Sequence, residues 1–132
     1  MTWLKWDATL ELGHAEMDAD HRQLVAMVNR LAQGIVDRLG KQAYDVLLDE
    51  LFAHTKAHFD MEERAMAACS YPYAAEHRAE HARLMREALD HRAKFDTSAE
   101  PSISLLYFFD QWLIRHILAS DSELARFLAA RR

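Results

Sequence analysis

Two short motifs carry the residues that could do chemistry, His58-Phe-Asp-Met-Glu62 and His77-Arg-Ala-Glu-His81. On a helix, residues four apart stand about 40° from each other on one face. His58 and Glu62 therefore point together, and so do His77 and His81. Each pair lies on an apolar stripe, with Leu51 and Met66 flanking the first and Leu84 and Leu89 following the second. Two further histidines join such stripes. His21 stands three residues before Leu24, and His116 three residues after Leu113.

Four helices thus aim at least one imidazole each at a common interior. Burying five imidazoles and a carboxylate without partners costs several kcal/mol per group. A metal satisfies all of them, because neutral imidazole and carboxylate both donate lone pairs, and the same donors suit iron, zinc or manganese. Asp121 completes the set with an unusual spacing. It follows His116 by five residues, which on a regular helix leaves the two about 140° apart. They converge only if the helix ends or bulges between them, and Ser120-x-x-Glu123 has the spacing of a capping box that would end it.

The elements that must position these residues are legible in the same pattern. The apolar stripes are Leu24–Ile35, Leu47–Met66, Leu84–Leu89 and Leu106–Ile117. Pro72 and Pro101 mark boundaries, because the residue before a proline avoids the helical region. The expected architecture is all-α, an up-down-up-down four-helix bundle over residues 18–119. An irregular arm (1–17) covers it with Trp3, Trp6 and Leu10, and a short helix (120–132) follows as part of the same single domain.

Composition narrows the function. A chain of 132 residues, 51% hydrophobic, buries a core without metal or disulfide staples, so a metal site here is functional rather than a folding aid. A net charge of −5 with no basic run argues against nucleic acid and anionic membranes. One cysteine, Cys69, excludes an internal disulfide and fits a reducing compartment. The N-terminus has no signal-peptide core, and Ile103–Phe109 is too short to span a bilayer, so a cytoplasmic location is expected.

The ordered set His21, His58/Glu62, His77/His81, His116/Asp121 resembles the hemerythrin family in its bacterial single-domain form. The arm ending in LELGHAEMDADH, the SYP before the third helix and DQWLIRHI are similar to that family too. The resemblance implies two irons joined by an oxo or hydroxo bridge. His77, His81 and His116 would hold one iron and His21 and His58 the other, with Glu62 and Asp121 bridging. The second iron then keeps one open position, for dioxygen. The resemblance assigns Leu24, Trp112, Leu113 and Ile117 to the dioxygen pocket, where they also serve as ordinary core.

Other histidines get plainer readings. His54, four residues before His58, faces the same interior and reads as a satisfied inner histidine that binds no metal, with a hydrogen-bonding role beside the site, or a perturbation of it, as the alternative. His14 is structural and His91 exposed. Asp20 stands where the family more often has glutamine or glutamate. Reversible dioxygen binding for storage, transport or delivery, by a monomeric protein that is not an enzyme, is the first functional expectation. Reduction of dioxygen or peroxide by the same centre is the second, and oxygen or redox sensing the third. Sensing usually goes with a fused signalling domain, which a chain ending about ten residues after Asp121 would lack.

Overall fold

The structure is a computed structural model that describes residues 4–96 and 103–131. Trp3, Pro101 and the connection around it lie outside the described residues. Among the described residues five α-helices follow one another, α1 (Ala15–Val36), α2 (Lys41–Ala68), α3 (Ala74–Asp96), α4 (Ile103–His116) and α5 (Ser122–Ala130). Each of the first four packs on the next and α4 closes against α1, which gives the four-helix ring expected from the stripes. No described helix is long and apolar enough to cross a membrane.

The ends of the helices are set locally. His14 caps α1, its Nδ1 accepting from the Met17 amide at 3.2 Å, so α1 starts three residues before the predicted edge of the arm. After α1 the Leu39 amide returns to the Gly34 carbonyl at 3.0 Å, and Arg38 takes the left-handed conformation at φ 55°. The close of α2 repeats this, with Tyr71 donating to the Met66 carbonyl and Ser70 at φ 53°. Tyr71 is then buried against Phe127 of α5, ring centroids 5.0 Å apart.

The predicted break at Ser120 does not occur. His116, Asp121 and Ser122 all keep helical backbone angles, and α4 runs into α5 through a single π-helical turn, Ile117–Asp121. The Ser120 hydroxyl donates to Glu80 of α3 instead of capping a new helix. Two further expectations shift. Leu89 is exposed, and Ala88 takes its place in the core. His91 is half-buried, stacked on Phe108 with centroids 4.2 Å apart.

Two apolar clusters fill the interior. The larger runs through Leu24, Val28, Leu31, Leu48, Leu51, Leu106, Phe109 and Leu113. The smaller comprises Met17, Met66, Tyr71, Leu124 and Ala125. In sequence, a polar residue on each of α1, α2 and the α4–α5 rod separates them: His21 lies between Met17 and Leu24, Glu62 between Phe59 and Met66, Asp121 between Ile117 and Leu124. The arm seals the larger cluster. Leu4 and Leu10 are buried, and Asn29 of α1 pairs with both backbone groups of Leu4 at 2.6 and 2.8 Å.

Candidate metal centre

Between the two clusters, His21, His58, Glu62, His77, His81, His116 and Asp121 come together, each at most 4% exposed. The α-helical spacing delivers His58 with Glu62 from α2 and His77 with His81 from α3. The π turn delivers Asp121. Its wider loop brings position i+5 round to the face of position i, so Asp121 Oδ1 lies 2.9 Å from His116 Nε2.

All five histidines present Nε2 inward. His77 and His81 approach Glu62 Oε1 at 3.0 and 2.9 Å, and His77 and His116 approach Asp121 Oδ1 at 3.2 and 2.9 Å. On the other side, His58 approaches Glu62 Oε2 at 2.7 Å and His21 approaches Asp121 Oδ2 at 2.8 Å. Each carboxylate therefore gives one oxygen to a set of three imidazoles and the other oxygen to a set of two. Within each set the donor atoms lie within 4.8 Å of one another.

Outer carboxylates hold two of the rings by hydrogen bonds and a third stands beside another ring. Asp20 Oδ2 lies 3.1 Å from His58 Nδ1 and Glu63 Oε2 lies 3.1 Å from His81 Nδ1. Glu80 Oε2 stands 3.5 Å from His116 Nδ1, a longer ion-pair contact. A ring that donates from Nδ1 turns a lone pair inward at Nε2. Those inward lone pairs then face other lone pairs. His81 Nε2 and His116 Nε2 are 3.2 Å apart, and the buried His58 Nε2, Glu62 Oε2 and Asp121 Oδ1 make no hydrogen bond of proper geometry. A cation shared between them removes that conflict, so the donor set fits metal.

In the metal-free protein the facing carboxylates favour the protonated imidazoles. Burial works against charged imidazoles, but Asp121 and Glu62 outweigh it, lifting His58 to about 10 and His77 to about 9. His116 is raised well above its ordinary value by the same carboxylates against the same burial. Burial also opposes ionisation of Glu62 and Asp121, yet the facing imidazoles hold both well below the usual carboxylate range. The His116 imidazole beside Glu80 draws that carboxyl down to about 2.

The sequence profile of the Hemerythrin HHE cation binding domain matches residues 12–128. The chain belongs to the hemerythrin family. A bacteriohemerythrin from Stenotrophomonas maltophilia is 30% identical over 95% of this chain and 81% of its own length. Another from Methylococcus capsulatus is 33% identical over 92% and 91%. A solved structure of a leucine-to-phenylalanine mutant superposes with a TM-score of 0.83 at 27% identity, covering 96% of this chain and 97% of that one.

Within this hemerythrin fold the four residues expected around a dioxygen pocket, Leu24, Trp112, Leu113 and Ile117, are all buried. Phe59 joins them, stacked on His81 at 3.8 Å between ring centroids and 5.8 Å from the Trp112 ring. His54 stays outside the cluster. Its ring is half-buried, with Nε2 4.0 Å from Asp20 Oδ1, so it faces a neighbour of His58 rather than a candidate ligand. Sequence reasoning missed Glu63, Glu80 and Phe59. Each sits one residue from a candidate ligand, and that adjacency was the signal. It turns them onto a neighbouring face that only the packing of the next helix reveals.

Proposed function

We propose that the chain binds dioxygen reversibly at a non-haem di-iron centre, as a carrier, store or delivery protein rather than an enzyme. The observation that carries this reading is the uneven sharing of Glu62 and Asp121, three imidazoles on one side and two on the other. Such an arrangement suits two ions bridged by both carboxylates, with ligands completed on one and a position left over on its neighbour. His77, His81 and His116 would hold the first iron, and His21 and His58 the second. Two irons held by these residues would supply the electrons and the binding position that dioxygen requires.

The protein's own residues make that binding reversible. Asp20, Glu63 and Glu80 keep the inner nitrogens free to ligate. Leu24, one turn along α1 from His21, stands on the two-histidine side. With Phe59, Trp112, Leu113 and Ile117 it keeps water and reductants away from the site. The whole donor set comes from one chain, so the reading needs no partner subunit and suits a monomer. The single cysteine and the acidic surface suit the cytosol.

The decisive experiment is optical. The iron-loaded protein is reduced without air and then exposed to it. Reversible binding gives a visible charge-transfer absorption that bleaches on deoxygenation and returns over many cycles. Rapid oxidation that does not reverse makes the protein a scavenger of dioxygen or peroxide instead. Failure to retain iron removes both readings.

A further inference from the structure

One small cavity of about 120 Å³ reaches the cluster through His77, walled by Tyr71, Tyr73, Glu76, Glu80 and Glu123. It carries three carboxylates and no lysine or arginine. Two neighbouring clefts also reach candidate ligands, but both are electrically mixed. The one at His81 sets Lys56 and Arg78 against Asp60 and Glu63. The one at His116 sets Arg83 and Arg115 against Glu80 and Glu87.

Glu76 and Glu123 stand in the first turns of α3 and α5, where acids stabilise helices. That role leaves His77 unexplained. His58, His81 and His116 each have a carboxylate at Nδ1, and the Nδ1 of His21 is fully enclosed. His77 is 4% exposed, and the polar contacts its ring makes with Glu62 and Asp121 all run through Nε2. It lines the acidic cavity, and like His21 it has no outer carboxylate at Nδ1, but unlike His21 it borders an opening.

We propose that this cavity is the port through which a divalent cation enters the cluster, with Glu76 and Glu123 drawing it in and the unclamped His77 admitting it. The inference rests on the reading of the cluster as a metal centre. A single-sign cleft raises the local concentration of the opposite charge and speeds association by about 10- to 1000-fold, an effect that salt screens. The cation enters as ferrous ion and leaves the port unchanged in oxidation state.

The test is the rate of anaerobic ferrous loading of the metal-free protein, read as iron no longer accessible to a colorimetric ferrous chelator. Glu76→Gln combined with Glu123→Gln should slow loading about tenfold at low ionic strength, leave the final iron per chain unchanged and flatten the salt dependence. Asp60→Asn, the same kind of charge change at the cleft beside His81, should load at the wild-type rate. A double variant that loads as fast as wild type overturns the port, as does an equal slowing by Asp60→Asn. Wild-type loading that does not slow with added salt overturns it without any variant. A wild-type chain that retains no iron instead sinks the metal-centre reading on which the port stands.

Discussion

Asp121 Oδ1 lies 2.9 Å from His116 Nε2 although five residues separate the two along the chain. The π turn makes this contact, and the burial of Leu124 and Ala125 holds the turn in register from beyond it. Moving the acid to the regular spacing, with Ser120→Asp and Asp121→Ser together, should therefore break the site rather than repair it. Iron per chain should fall below the stoichiometric level while helical circular dichroism is unchanged. Full iron retention would mean that the backbone, not the side chain, adapts.

The outer carboxylates should matter almost as much as the inner ones. Glu63→Gln keeps the shape of the side chain but weakens its hold on His81 Nδ1. Iron affinity should drop by about 10- to 100-fold. Asp20→Asn should do the same through His58. Competition with a chelator of known affinity measures both. Wild-type affinity in the two variants would reduce these contacts to packing.

Protonation gives a pH dependence of definite sign. In the metal-free protein His58 and His77 are raised to about 10 and about 9, against 6.5 for an unperturbed ring. Raised values mean that the charged rings stabilise the fold fully below pH 6.5, and that this contribution is lost as pH climbs through 9 to 10. Thermal melts of the metal-free chain should shift downward between pH 7 and pH 10.5. Metal loading at pH 7 should release protons, because a ligating imidazole must be neutral. Calorimetry in buffers of different ionisation enthalpy counts them, and a buffer-independent heat would contradict the assignment.

Arg38 offers a stability test remote from the site. It holds a left-handed conformation at φ 55° where glycine is free of the side-chain penalty. Arg38→Gly should raise unfolding stability by about 1 kcal/mol, the low end of the usual left-handed cost. Denaturant titration checks it, and an unchanged midpoint would show that the arginine side chain offsets the strain.

Much of this was legible in the sequence for a physical reason. The i, i+4 pairs and the apolar stripes are properties of one helix, and a helix displays its own faces in its own spacing. His21, His58, Glu62, His77, His81 and His116 could be placed on inner faces for that reason. Asp121 was legible only as an anomaly. The sequence demanded a break or a bulge, and Ser120-x-x-Glu123 suggested the break. The π turn prevails because Ser120 finds an acceptor on another helix, a partner that local spacing does not encode. Glu63, Glu80 and the stacking of His91 on Phe108 were out of reach for the same reason.

The division of the interior into a large and a small apolar cluster has a mechanical consequence. The end formed by Met17, Met66, Tyr71, Leu124 and Ala125 meets the rest mainly across buried polar side chains, with Leu12 of the arm packed against both clusters. That end can loosen as a separate cooperative unit while the rest of the bundle stays shut. Amide hydrogens of Leu124–Leu128 should then exchange with deuterium well before those of Val28–Ala32, and loading the centre should close the gap. The ions would act as rivets between two blocks that hydrophobic contact alone leaves loosely coupled.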